Sequence, residues 1–179
     1  MRTTSSYRFR NHRGFSLLEV MIAVVVFSIG LIGLALLLTS SIRANHVGFL
    51  HSQATFVAES IADRMRANVG GVWLDLYDGT WDAGTPAPAN TCGAGSPCTP
   101  QQIAARDGWA WGQMVGQLLP AGAGTITCTP LPGSPVPNAD QLRAVPTYTG
   151  SCNIRIDWVE QTEGAGGPVN GSFTWVITP

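Results

Sequence analysis

Glu19 is the only charged residue between Phe15 and Leu38. A charged side chain at mid-bilayer costs on the order of 3 kcal/mol, and less near an edge. An acid in such a run is a functional residue by default, and it needs a counter-ion. No cation follows it within the run. The other reactive side chains are four cysteines, Cys92, Cys98, Cys128 and Cys152, all in the Gly- and Pro-rich second half, and three histidines, His12, His46 and His51. No two cysteines form a C-x-x-C pair and the histidines lie far from them in sequence, so no metal site is expected. An even count in a loop-rich region instead suits an oxidising compartment and two disulfides. Several connectivities are open; the strands described below favour Cys92–Cys98 and Cys128–Cys152.

The run that holds Glu19 must be a helix. From Phe15 to Leu38 it would extend about 36 Å, enough for a bilayer core of about 30 Å. Gly30 and Gly33 are tolerated better in membrane helices than in soluble ones. Arg2, Arg8, Arg10 and Arg13 flank its amino-terminal side without an acid, which places residues 1–14 in the cytoplasm and the remainder beyond the inner face. A secretory signal peptide would carry a shorter apolar region, about 7–15 residues, and a small-residue cleavage site; Thr39, Ser40 and Ser41 do not supply one. An ordinary signal anchor leaves Glu19 unexplained.

Beyond the membrane the helix is expected to continue. Ile42, Phe49, Leu50, Val57, Ile61 and Met65 recur at helical spacing, with Ala54 and Ala58 filling the stripe, and Gly70-Gly71 reads as the stop. A single helix to about Asn68 would be roughly 80 Å long. The stripe reads as core packing. His46 and His51, at i and i+5, do not share a face.

Arg13-Gly14-Phe15-Ser16-Leu17-Leu18-Glu19-Val20-Met21-Ile22-Ala23 resembles the leader and mature start of type IV pilins and pseudopilins. The resemblance implies that prepilin peptidase cuts between Gly14 and Phe15 and methylates the new amino terminus. Glu19 then becomes the fifth mature residue, paired with the ammonium of Phe15 on an adjacent subunit already in the fibre. A paired carboxylate in a low-dielectric medium costs far less than a lone one.

Ala62-Asp63-Arg64-Met65-Arg66-Ala67-Asn68 is similar to the helix end of the type IV pilus modification (PilV) family of minor pilins. A Trp-containing helix ending at Leu118-Leu119-Pro120, a Gly-rich turn and a following strand occur in the same order. The resemblance implies an α+β, type IV pilin-like fold in which a long amino-terminal helix, transmembrane and then amphipathic, packs on a small antiparallel sheet. The implied segments are a leader (1–14), a membrane and fibre-core helix (15–38), its amphipathic continuation (39–71) and a periplasmic or extracellular head (72–179). The implied partners are other minor pilins, the major pilin, a tip adhesin, the inner-membrane assembly platform and prepilin peptidase. The implied roles are pilus priming, twitching motility and adhesion.

Within the head, residues 72–100 read as irregular connection, with turn signals at Asp78-Gly79, Gly84-Thr85-Pro86 and Gly95-Ser96-Pro97. Trp73, Leu74, Leu76, Tyr77 and Trp81 are expected to pin it to the helix stripe, and Cys92–Cys98 to close a small loop. Thr99 as N-cap, Pro100 at N1 and Gln102 at N3 announce a helix, followed by Ile103, Trp111, Met114, Val115 and Leu118 at helical spacing. Gly108, Gly112 and Gly116 weaken it by about 1 kcal/mol each relative to Ala, so it must lean on close packing. Thr125–Cys128, Cys152–Glu160 and the segment of Phe173, Trp175 and Ile177 read as strands, with a Gly-rich loop from Glu163 to Gly171. Cys128 and Cys152 then fall on apolar faces of neighbouring strands.

With 179 residues, a net charge of -1 and 12% charged residues, against roughly 25% in an average soluble domain, the chain is not expected to bind nucleic acid over its surface. Arg106, Arg143 and Arg155 are the head's only cations. No G-x-S-x-G, no Ser/His/Asp order and no phosphate loop occur: Gly164-Ala165-Gly166-Gly167 runs into Pro168. Asp157 and Glu160 read as solvated. The Asn170-Gly171-Ser172 sequon is discounted in a bacterial context. No catalytic residue and no cofactor are expected. The competing readings are a type II secretion pseudopilin and a membrane-anchored module whose tryptophans bind glycan; an enzyme ranks last.

Overall fold

The computed structural model describes residues 14–89, 97–143, 147–160 and 169–179. Contacts divide the chain into a unit up to Asn45 and a unit from His46 onward. Helix α1 (Leu17–Ala67) contributes to both. In the first unit every residue from Gly14 to Asn45 is exposed, although an 18-residue window there has a mean hydropathy of 2.9. Apolar surface on this scale calls for lipid or other helices around it.

In the second unit α1 buries Leu50, Ala54, Val57, Ala58, Ile61, Ala62 and Met65. The stripe expected from sequence is narrower than drawn: Ile42 and Phe49 are 65% and 56% exposed. Phe49 sits about 100° around the helix from Leu50 and misses the buried line. The helix also stops before the glycines. Asn68 leaves helical geometry, and α2 (Val69–Trp73) re-enters it with Gly70 and Gly71 inside. A Cβ at Gly71 would lie 3.0 Å from the Tyr77 ring, so this glycine permits a tight joint rather than ending a helix.

The sheet has four antiparallel strands in the order β1 (Gly79–Asp82), β2 (Ala123–Pro130), β3 (Gly150–Glu160), β4 (Val169–Ile177). Together with the long helix it forms the α+β arrangement that the resemblance implies. On β3, Cys152, Ile154, Ile156 and Trp158 are buried, and the residues between them are exposed or half-buried. Strand β1 corrects the expectation of an irregular 72–100. It is too short to show an alternation and is held from outside, by β2 and by α3. Gly171, expected in the loop, lies in β4 opposite Trp158; residues 163–168 of that loop and the Gly95-Ser96 turn fall outside the described residues. The connector between β2 and β3 carries a short helix, α4 (Ala139–Arg143), entered through reciprocal bonds between Asn138 and Gln141.

Helix α3 (Pro100–Leu118) begins with the expected capping box. Its glycine face lies on β1 and the turn after it: a Cβ at Gly112 would stand 2.6 Å from the Asp82 carbonyl oxygen, and one at Gly116 2.6 Å from the Ala83 Cβ. Backbone cannot move aside as a side chain can, so Gly112→Ala is expected to destabilise the head by about 1–3 kcal/mol through overpacking. Urea unfolding of the full chain checks this, with Gly48→Ala, which meets nothing within 4 Å, as the control.

Cys128 and Cys152 face each other in the register and are joined by a disulfide, with Cα atoms 4.0 Å apart. Spanning 24 residues, it contributes about 3.5 kcal/mol in the chain-entropy description. Cys98 is disulfide-bonded. Cys92, its expected partner, lies outside the described residues.

Candidate functional site

The amino-terminal site is built on the first turns of α1. Gly14 and Phe15 are exposed and lie ahead of the helix, outside regular secondary structure. The Ser16 carbonyl accepts the N–H of Glu19 at 3.0 Å and of Val20 at 3.3 Å, so the backbone at Glu19 is already helical. Phe15, Glu19, Val20, Ala23, Val24 and Phe27 line one groove of about 610 Å³ along this helix. Glu19 and Ala23, four residues apart in the helix, share one face, and Phe15, just ahead of the helix, lines the same groove. No described side chain donates a hydrogen bond to the Glu19 carboxylate or forms an ion pair with it. The leader arginines Arg2, Arg8, Arg10 and Arg13 lie outside the described residues.

A second cluster forms in the head. Arg64 Nη1 reaches Asp107 Oδ1 at 3.0 Å. The Tyr77 hydroxyl donates to Asp107 Oδ2 at 2.9 Å, while Asn68 Nδ2 donates to that hydroxyl at 3.1 Å and to the Pro100 carbonyl at 3.0 Å. One network therefore ties the end of α1, the joint at Asn68, the approach to β1 and α3. The Ala62–Asn68 stretch has a physical reason here: Ala62 and Met65 are buried, Arg64 and Asn68 supply the network, and Asp63 pairs with Arg66 at the surface. It is a structural lock between the end of α1 and α3. Asp107 and Tyr77 were not legible as its members, because nothing local to either predicts that they meet.

Burial above all, with the nearby Asp107 carboxylate adding to it, holds the Tyr77 phenol far above its ordinary value. Tyr148, buried against Trp73 with ring centroids 4.8 Å apart, is raised by burial in the same direction. A phenol with a raised folded-state pKa contributes stability that is complete below its unfolded value of about 10 and is lost as pH climbs above it. The urea midpoint of the full chain is therefore expected to fall progressively from about pH 10 upward. Tyr77→Phe should reduce that fall and leave the smaller share due to Tyr148.

The tryptophans face inward. Trp73, Trp111 and Trp158 are buried, and Trp81, Trp109 and Trp175 are half-buried. Trp73, Trp111 and Trp158 therefore cannot present the open ring face that the glycan reading requires. On the solvent face of β3, Asp157 is paired with Arg155 at 2.7 Å. Among the described residues, no group of three His, Cys, Asp or Glu side chains could hold a metal ion.

Residues 9–35 match the family model described as the prokaryotic N-terminal methylation motif. No curated protein and no solved structure matches the chain.

Proposed function

We propose that this chain, whose prepilin-type methylation motif supports a type IV pilin or pseudopilin, is a minor pilin similar to the PilV family. It is held in the inner membrane with its amino terminus in the cytoplasm, cut between Gly14 and Phe15, and built into a type IV pilus. Its work is structural: the apolar part of α1 enters the fibre core, and the head joins other minor pilins, the major pilin and a tip adhesin in priming the fibre. Twitching motility and adhesion follow from that role.

The observation that carries this reading is Glu19, a lone acid on the exposed apolar face of α1, inside the matched methylation motif. Proteolysis after Gly14 creates the cation that the apolar run otherwise lacks. The Ala62–Asn68 stretch, with its network to α3, supports the choice of the PilV family. Amino-terminal mass spectrometry of the protein from its native host tests the processing: an N-methylated Phe15 is expected, and an intact Met1 start refutes it. A deletion strain tests the rest. Loss of surface pili with normal enzyme secretion is expected, and lost secretion with normal pili replaces the pilus reading by the secretion pseudopilin.

A further inference from the structure

We draw no further inference here: the strongest candidate, the basin of about 320 Å³ on the solvent face of the sheet between Arg155, Asp157, Asn170 and Ser172, carries nothing, because Arg155 and Asp157 already pair with each other and nothing in the structure shows what fills or covers it.

Discussion

Glu19→Ala is expected to be cleaved normally after Gly14 and to be nearly absent from sheared fibres. The carboxylate is exposed on a helix face that is otherwise apolar, in the groove it shares with Phe15 and Ala23. In a low-dielectric setting an unpaired acid is unfavourable, so the substitution does not weaken anchoring. On the proposed function, what it removes is the attraction that selects the one position where an ammonium waits. It also leaves that ammonium without a partner, and breaking a buried pair in this way costs about 3–5 kcal/mol, or more than about a hundred-fold in the equilibrium of incorporation. Glu19→Asp keeps the charge with a shorter reach and should fall between the two. The ratio of fibre-borne to membrane-borne protein, read by immunoblot, decides it. Equal ratios for wild type and Glu19→Ala would mean that the charge does not register the subunit.

The second large effect is expected at Trp111. The residue is fully buried; its indole N–H donates to the Val57 carbonyl of α1 at 2.9 Å, and its ring lies over Gly124 of β2 where any Cβ would intrude. One side chain therefore joins α3, α1 and the sheet. Trp111→Ala should destabilise the head by about 3–5 kcal/mol, the usual range for emptying a large aromatic site. Trp111→Phe keeps much of the ring contact, loses the N–H and should cost less. Urea unfolding of the full chain, followed at equal temperature and detergent, separates the two. A loss below about 1 kcal/mol for Trp111→Ala would show that the neighbours collapse into the space.

Much of the fold is local in origin and was legible on that account. The capping box at Thr99-Pro100-Gln101-Gln102 is a pattern contained in four neighbours. The alternation of Cys152, Ile154, Ile156 and Trp158 marks one face of a strand whatever it pairs with. The close-packing purpose of Gly108, Gly112 and Gly116 could also be read, because three glycines cannot stabilise a helix by themselves. What they pack against could not. Strand β1 is extended because β2 and α3 hold it so, and four residues bearing a turn signal give no period to read.

The same division governs the sites. Residue order alone carried the apolar run, the N-terminal methylation motif and the isolated acid at Glu19, because run length, flanking charge and a few adjacent side chains are local properties of the chain. Only the folded head decided that Arg64 and Asn68 meet Asp107 and Tyr77, that Trp73, Trp111 and Trp158 are buried, and that β4 stands at an edge of the sheet. Each of these depends on which distant segments come within hydrogen-bond or van der Waals reach, a property of the packed chain that no window of neighbouring residues contains.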